Sequence, residues 1–449
     1  MMSERRTARF TRRQVITAGG VLAGAFAAAR FGARPAFGAP PPEVVFTTDQ
    51  LIPLQEQEWA RTSLMAGFTK TTGIPVRLIA EGDGPYVDRL VAEAKAGRGT
   101  ISATGALHGL YPIMISANLI RDMAPVQKQL DAMKDRTFYK DLLAASRMGG
   151  MQAFIPWMQA TYAFAAAKSA LQYFPSGRNP MRMTYDDLFQ WGQNIQKATG
   201  QRRLGFPVGP NGLYGRFLHG YAYPSFTGAQ VKRFKSPDAV AMWQYLRRLW
   251  GVTHPSSFAY EFMYEPLLSG EVWVAWDHTA RLIPAIRQRP GDFVVLPSPA
   301  GPRGRSFISV IVGLSIPKTA PDPDGGVKLI EYLTRPSTQL MTLQGDGFFP
   351  VSPEAAKSVA SGWVKVVADG VSAQAGAPDA HTALLPIGLG ARTAEFVPIY
   401  TDAFQLIAIQ GKNIQDVLNA QAAKLAALYQ AQNAVCPPPD PASTPCKPD

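Results

Sequence analysis

Short apolar runs alternate with helical segments in the part of the chain that follows residue 43. Val44–Thr48 and Val76–Ala80 are rich in apolar and β-branched residues, and Gln55–Thr71 between them has a helical pattern. A second helical segment, Tyr86–Lys95, precedes a third run, Ile101–Leu107. This alternation predicts an α/β fold with a mostly parallel sheet, because parallel strands need a crossover connection and helices provide it.

The first 38 residues have the composition of an export leader. They hold seven arginines and one glutamate, which is half of the chain's net charge of +12. Thr11–Ile16 resembles the twin-arginine export motif, and the apolar run Val15–Ala29 is too short to span a bilayer comfortably. Small residues near position 38 are compatible with cleavage there. Residues 1–38 are therefore predicted to be a twin-arginine signal peptide, with a retained N-terminal anchor as the alternative.

Length and composition limit what the rest of the chain can be. A chain of 449 residues with 46% hydrophobic and 17% charged side chains can form two α/β lobes, each with its own core. The charge outside the leader is only moderately positive, so nucleic acid is not predicted as a partner. Cys436 and Cys446 lie in the Pro-rich tail 431–449, where they either close a small disulfide loop or stay free. Neither is close to a histidine in the sequence, so no metal site is predicted.

Residues Gly270–Thr319 place an aromatic and a carboxylate at the end of a strand. The elements predicted there, in chain order, are the strand Val272–Trp276, the polar cluster Asp277–Thr279, a helix to about Arg289 and the strand Phe293–Leu296. Open α/β sheets bind ligands beyond the carboxyl ends of their strands, so Trp276 and Asp277 are the first binding candidates. Trp273 lies three residues before Trp276 and therefore points to the opposite face, where we assign it to the core.

Several segments occur in an order that resembles a known family. They are FTKTTGIPVRLI, ISANLIRDMAPV, MQAFIPWMQATYAFAAAKSAL, GEVWVAW, LIEYLTRPSTQLMTLQGDGFFPVSP and the closing GKNIQDVLNAQAAKLAALY. In this order they resemble the extracellular solute-binding proteins of bacterial ABC importers, particularly the sugar-binding kind, over about residues 44–430. The resemblance implies a type II periplasmic-binding-protein-like fold. In this fold two α/β lobes, joined by several hinge crossings, enclose a ligand cleft.

The resemblance also implies where the lobes begin and end. The N-terminal lobe is expected to hold residues 40–153 and 297–335, and the C-terminal lobe residues 157–296 and 336–430. The crossings are then expected near 153–157, 296–299 and 334–337.

Binding candidates follow from the chemistry of a sugar. Aromatic rings cover its apolar faces, and carboxylate, amide or guanidinium groups bind its hydroxyls. We therefore expect contacts from aromatic and polar residues at strand ends and in loops. The candidates are Asp49, Glu81, Asp83, His108, Trp157, Tyr162, Asn211, Tyr214, Trp276, Asp277, Arg281 and Phe348. Alternative roles stay open, such as core positions for Trp157 and Tyr162 or a pairing of Arg281 with Asp277.

Enzyme signatures are poor in this sequence. The phosphate loop GxxxxGK[ST] and the HExxH, GxSxG and GxGxxG motifs do not occur, and the five histidines lack metal-ligand spacing. The resemblance implies a periplasmic monomer without cofactor or catalysis, which captures a carbohydrate or related polyol and delivers it to ABC permease subunits. The alternatives are a binding protein for another solute, such as a glycerol phosphate ester or a polyamine, and a secreted carbohydrate-active hydrolase. The positive charge favours anions over polyamines.

Overall fold

The computed structural model describes residues 43–357 and 362–449 of the chain, so the predicted leader lies outside the described residues. The strands of the described part are β1 (Val44–Thr48), β2 (Val76–Ala80), β3 (Ala103–Leu107), β4 (Arg147–Met148), β5 (Met151–Gln152), β6 (Ile155–Ala160), β7 (Tyr162–Ala167), β8 (Leu204–Gly205), β9 (Val274–His278), β10 (Phe293–Leu296), β11 (Arg305–Ile308), β12 (Val310–Ser315) and β13 (Ala380–Ala383).

Helices connect these strands and cover the sheets. They are α1 (Leu54–Trp59), α2 (Ala66–Thr72), α3 (Asp83–Lys95), α4 (Tyr111–Ser116), α5 (Ala124–Ala132), α6 (Lys140–Ala145), α7 (Tyr185–Thr199), α8 (Tyr214–Phe217), α9 (Tyr223–Thr227), α10 (Pro237–Trp250), α11 (Tyr264–Ser269), α12 (Thr279–Gln288), α13 (Pro323–Leu333), α14 (Pro336–Asp346), α15 (Pro353–Ala356), α16 (Gly362–Ala375), α17 (Phe396–Phe404) and α18 (Ile414–Gln432). Within the described ranges, none of the helices has the length and hydropathy needed to cross a membrane.

The first sheet has five strands in the order β2-β1-β3-β12-β6. β1 runs parallel to β2 and β3, whereas β12 is antiparallel to both β3 and β6. The carboxyl ends of β1, β2, β3 and β6 therefore lie along the same edge. Trp157 of β6 packs edge-to-face on Phe46 of β1, with ring centroids 5.6 Å apart. Gly313 of β12 lies so close to Phe154 that a Cβ atom there would approach its ring to 2.3 Å, which explains the glycine.

The second sheet has four strands in the order β10-β7-β9-β8. β7 is antiparallel to β9 and β10, and the last residue of β9, His278, pairs with the first residue of β7, Tyr162. We call the part built on the first sheet the first lobe and the part built on the second sheet the second lobe. The predicted two-lobed α/β fold is confirmed.

The chain changes sheets later than the sequence suggested. β6 pairs in the first sheet up to Ala160, so the first crossing is at Thr161 rather than at 153–157. The Pro-rich segment after β10 is a loop that leads into β11, which pairs with β13, and the chain enters the first sheet only after Ser309. α14 still packs on α1, and Phe349 pairs with Gln159, so the third crossing lies beyond Val351 and not at 334–337. These pairings favour lobe limits that differ from the expected ones by up to about twenty residues.

Helix starts follow the local sequence closely. Ser236 accepts a hydrogen bond from the backbone N–H of Ala239 at 3.3 Å, and Pro237 occupies the first helical position of α10. The closing helix α18 begins in the same way, with the Asn413 side chain accepting from Asp416 N–H at 3.1 Å.

The Pro-rich tail packs against the second lobe through a disulfide loop. Cys436 and Cys446 are bonded and buried. Inside their loop, the Asp440 carboxylate accepts backbone N–H groups from Gln230, Val231 and Lys232, the last two at 3.0 and 2.6 Å. The sequence left the state of these cysteines open, and the structure resolves it in favour of the bond.

We predict that the tail disulfide contributes measurably to the stability of the fold. Closing a loop over a sequence separation of 10 residues removes entropy from the unfolded chain worth about 3 kcal/mol. The double variant Cys436→Ser/Cys446→Ser should lower the free energy of unfolding by about that amount in urea titrations. Wild-type protein unfolded in the presence of a thiol reductant is the control and should match the variant. An unchanged midpoint would mean that the tail detaches before the domain unfolds.

Candidate ligand-binding cleft

A cavity of about 200 Å³ lies where the strand ends of the two sheets face each other. Asp49, Gln50 and Leu107 line it from the ends of β1 and β3, and Tyr162 and His278 line it from the second sheet. The remaining residues of its wall are Leu51, Ile52, Pro53, Glu56, Leu213, Arg216, Ala280, Arg281, Val310, Phe348 and Leu385. Polar groups from both lobes thus converge at carboxyl strand ends, the place where α/β sheets bind ligands.

A second space of about 330 Å³ shares the wall residue Arg216 with this cavity. Val87 and Asp88 of α3 line this space from the first lobe, and Phe396 and Val397 of α17 line it from the second. Arg216 belongs to the walls of both spaces. We therefore treat the two spaces as one cleft between the lobes.

Tyr162 has a fixed position in the cleft wall. Its ring stacks on Trp276 with centroids 5.0 Å apart and planes inclined by 8°, and it meets His278 edge-to-face. The Tyr221 hydroxyl accepts from the Tyr162 N–H at 3.0 Å and donates to the Tyr162 carbonyl at 3.1 Å. The stacking and the two hydrogen bonds leave the Tyr162 ring little freedom to move.

Trp276, the first candidate from the sequence, lies behind the cavity wall rather than in it. Its side chain is fully buried between Tyr162, Phe217 and Tyr221, and it does not line the cavity. Trp273, which was assigned to the core, is only partly buried and lies under the guanidinium of Arg203 at 4.5 Å. β9 begins at Val274, so Trp273 precedes the strand, and it packs at the edge of the core rather than in the cleft.

Asp277 points away from the cleft and ties down a loop. Its carboxylate accepts from Met263 N–H at 3.1 Å and from His278 N–H at 2.7 Å. Burial raises the pKa of Asp277 to about 7, and the charge of Arg281 opposes this effect. Arg281, by contrast, lines the cavity, so Asp277 acts on the cleft only through the electrostatic field.

Four of the twelve predicted residues line the cavity and seven do not. The four are Asp49, Tyr162, Arg281 and Phe348. Glu81 instead pairs with Arg89 of α3 at 2.8 Å, which lowers its pKa. Asn211 holds Glu261 at 3.1 Å in an exposed loop. Asp83 begins α3, and its side chain lies outside the description.

The other misplaced candidates belong to the interior. Trp157 packs in the first sheet, and Tyr214 packs against Phe404 with centroids 4.9 Å apart. His108 is buried with its Nδ1 against the backbone of Ile311 at 3.3 Å, and burial lowers its pKa to about 4.

Three charged or ionisable residues of the cleft were missed by the sequence analysis. Arg216 lies two residues after Tyr214 in a helix of only four residues, too short to show a periodic pattern. Glu56 lies in α1, and burial raises its pKa to about 7. His278 was read as part of a polar cluster, and burial together with Arg281 lowers its pKa to about 3. The one signal in the sequence that could have found Arg216 is its position two residues after the candidate Tyr214.

A chain of hydrogen bonds connects Arg216 to the C-terminal tail. Arg216 Nη1 lies 3.5 Å from His219 Nε2, and His219 Nδ1 lies 2.9 Å from Gln230 Oε1. The amide nitrogen of Gln230 donates to the carbonyls of Leu384 at 2.8 Å and Pro438 at 2.5 Å. Because Gln230 Oε1 can only accept, His219 Nδ1 donates and its Nε2 is left to accept from Arg216. Burial and Arg216 lower the pKa of His219 to about 3, in agreement with this neutral form.

A larger cavity of about 660 Å³ lies on the other side of the hinge segments. Thr161, Ser309 and Phe349 line it, whereas their chain neighbours Tyr162, Val310 and Phe348 line the cleft. The larger cavity does not meet the ends of β1 and β3. The smaller space, where side chains from strand ends of both sheets converge, is therefore the candidate ligand site.

The fold and the cleft together define a two-lobed solute-binding protein. The family model for bacterial extracellular solute-binding proteins matches residues 63–368, and the chain belongs to that family. It is a solute-binding component of an ABC transporter and a binding protein rather than an enzyme. A comparison with curated protein sequences finds no match.

Solved structures of solute-binding proteins share the fold at low identity. T. maritima MalE3 with bound maltose is 18% identical and covers 86% of this chain and 99% of its own, with a TM-score of 0.68. UgpB from Mycobacterium tuberculosis in complex with glycerophosphocholine is 18% identical, with 88% and 100% covered and a TM-score of 0.68. A Thermotoga lettingae ABC transporter solute-binding protein with bound alpha-D-tagatose is 16% identical, with 87% and 100% covered and a TM-score of 0.67.

We predict that Asp277 makes the stability of the protein decrease as the pH rises. Its pKa in the folded state, about 7, is above the ordinary value of 3.8, so its protonated form is favoured in the fold. The contribution of the protonated carboxyl group to the free energy of unfolding is fully present below about pH 4. It is lost as the pH rises through 7, by up to about 4 kcal/mol. The melting temperature of Asp277→Asn relative to wild type should therefore rise between pH 4 and pH 8.

The comparison between variant and wild type isolates Asp277 from other titrating groups. Glu56 and Asp346, whose pKa values burial also raises, are present in both proteins and cancel. Asp131→Asn, an exposed change on α5, is the matched control and should follow wild type. A constant difference between Asp277→Asn and wild type across the pH range would contradict the prediction.

Proposed function

We propose that the protein captures a carbohydrate or related polyol in the cleft and delivers it to the membrane permease of its transporter. The observation that carries this proposal is that Tyr162 lines the same cavity as Asp49 and Gln50, at strand ends of the two sheets. An aromatic ring suits the apolar face of a sugar, and carboxylate and amide groups suit its hydroxyls. Maltose and alpha-D-tagatose are the molecules bound in two of the similar structures.

Solute capture is proposed to proceed by closure of the lobes. Asp49 belongs to the first lobe, and Tyr162 begins the second lobe immediately after the crossing at Thr161. A solute that contacts both walls makes more contacts in the closed state and shifts the population toward it. No reaction step is needed for this cycle.

Export is proposed to place the protein in the periplasm as a monomer with the ABC permease subunits as its partner. The support is the leader sequence with Arg12 and Arg13 next to an apolar run. A twin-lysine variant, Arg12→Lys/Arg13→Lys, should accumulate in the cytoplasm when cells are fractionated. Normal export of this variant would contradict the twin-arginine assignment while leaving solute binding untouched.

We predict that Tyr162 contributes to affinity and Trp276 to stability. Wild-type protein should be stabilised by one member of a sugar and polyol panel, by about 2.7 kcal/mol at a hundred times the dissociation constant. Tyr162→Leu should weaken the binding of that ligand about tenfold, because it removes the ring from the cleft wall. Trp276→Ala should cost about 3–5 kcal/mol of folding free energy, because it leaves a large cavity in the core.

Calorimetry and urea titrations separate these two roles. If Tyr162→Leu binds as tightly as wild type, the aromatic wall does not contact the solute. If the panel of sugars, polyols and their phosphates produces no shift in melting, the proposed carbohydrate function itself fails.

A further inference from the structure

Two guanidinium groups face the cleft from the second lobe. Arg216 of α8 and Arg281 of α12 both line the same cavity, and both are half-buried. Among the side chains that the structure describes, no carboxylate lies within the 4.0 Å salt-bridge distance of a guanidinium nitrogen of either arginine. Other arginines of the protein have such partners, for example Arg89 with Glu81 and Arg392 with Glu395. A half-buried guanidinium that has no carboxylate in ion-pair contact and lines a cleft is available to bind an anion.

Arg281 is held from one side only. Its Nη1 donates to the carbonyls of Asn211 at 3.0 Å and Glu261 at 3.2 Å, and its guanidinium lies 4.6 Å from the ring centre of Phe262. Neutral carbonyl groups fix the position of the guanidinium without cancelling its charge. Its planar fork can bind two oxygens of one anion through other N–H groups.

Arg216 is held by neutral groups as well. Its partner His219 accepts through Nε2 and is itself fixed by Gln230. Arg216 also lies close enough to Tyr162 to lower the pKa of that phenol, against the effect of burial. The charge of Arg216 is therefore oriented toward the cleft region by a buried network that adds no negative charge.

The acidic groups near Arg281 do not neutralise it fully. Burial raises the pKa of Glu56 and of Asp277 to about 7, and that of Asp346 well above its ordinary value. Asp49, the other carboxylate of the cavity wall, accepts the Leu107 N–H at 3.0 Å and the Gln50 amide at 3.0 Å. The two carboxyl groups of the cavity wall, Asp49 and Glu56, lie on the first-lobe side, and the two guanidinium groups lie on the second-lobe side.

We propose that the solute carries an anionic group, a phosphate ester or a carboxylate, which Arg216 and Arg281 bind together. This inference rests on the proposed function, since it names the class of polyol or sugar that the cleft selects. The hydroxyl groups of the solute then face Asp49, Gln50 and Glu56, and the anionic group faces the second lobe. The solute thus contacts the first lobe through its hydroxyl groups and the second lobe through its anionic group, which favours closure.

Matched ligands test the proposal by calorimetry. Glucose is compared with glucose 6-phosphate and glucuronate, and glycerol with glycerol 3-phosphate and glycerophosphocholine. We expect an anionic member to bind at least about tenfold more tightly than its neutral parent, and its affinity to fall as salt is added. The phosphate and carboxylate arms identify which anion is bound. A neutral parent that binds as tightly as its anionic derivatives would overturn the inference while leaving the proposed function intact.

Variants of the two arginines locate the effect. Arg216→Gln and Arg281→Gln should each weaken the binding of the anionic ligand by about tenfold or more and leave that of a neutral parent unchanged. Arg216→Lys and Arg281→Lys keep the charge and should retain part of the affinity. They replace the glutamine variants in the test if those fold poorly. Arg335→Gln, which makes the same charge change outside the cleft, is the control. If the anionic ligand binds equally to all variants, the two arginines are not its site; if neither neutral nor anionic ligands bind wild type, the proposed function fails with it.

Discussion

Thr161 and the hydrogen bonds around it join the two lobes at the hinge. Its hydroxyl donates to the carbonyl of Ile308 at 2.7 Å, which ties the first crossing to the second. The Gln374 amide donates to the Thr161 hydroxyl and to the Tyr162 carbonyl, each at 3.1 Å. Thr279 at the start of α12 donates its N–H to the Thr161 carbonyl at 2.9 Å. Since buried polar groups must be paired, these bonds fix where each sheet ends and the other begins.

The position of the cleft follows from that junction. Neighbouring residues of an extended chain point to opposite sides, so Thr161 faces one cavity and Tyr162 the other. Ser309 and Val310 repeat the pattern at the second crossing. The same short segments therefore form a wall of both cavities. A rotation about these hinge segments that narrows the cleft therefore widens the larger cavity behind it. The hinge segments thus change the size of both cavities when the lobes move.

Local patterns in the sequence located individual strands and helices but not the positions where the chain crosses between the lobes. The strand Phe293–Leu296 could be located because a short apolar run with β-branched residues favours a strand locally. The crossing at Thr161 has no such signature, because β6 and β7 read as one apolar run. Only their pairing with different strands, β12 and β9, separates them.

The site was harder to predict than the fold for a related reason. Alternation could not show that Trp276 is buried behind the cleft wall, because which face of a sheet is the interior depends on the helices that cover it. Asp49 and Tyr162 were found because they lie directly at strand ends that meet the cleft. Arg216 and Glu56 lie on short helical segments, and only the folding of distant parts of the chain brings them to the same cavity.

The C-terminal tail is connected to Arg216 in the cleft by a chain of hydrogen bonds. Its disulfide loop holds Pro438 against Gln230, Gln230 sets the tautomer of His219, and His219 orients Arg216. A long flexible side chain loses rotamer entropy when a ligand immobilises it, and a network that restrains it beforehand reduces that loss. The restraint on Arg216 is neutral, so its full charge stays available in the cleft. The Pro-rich tail thus restrains, from a distance, a side chain for which we propose anion binding.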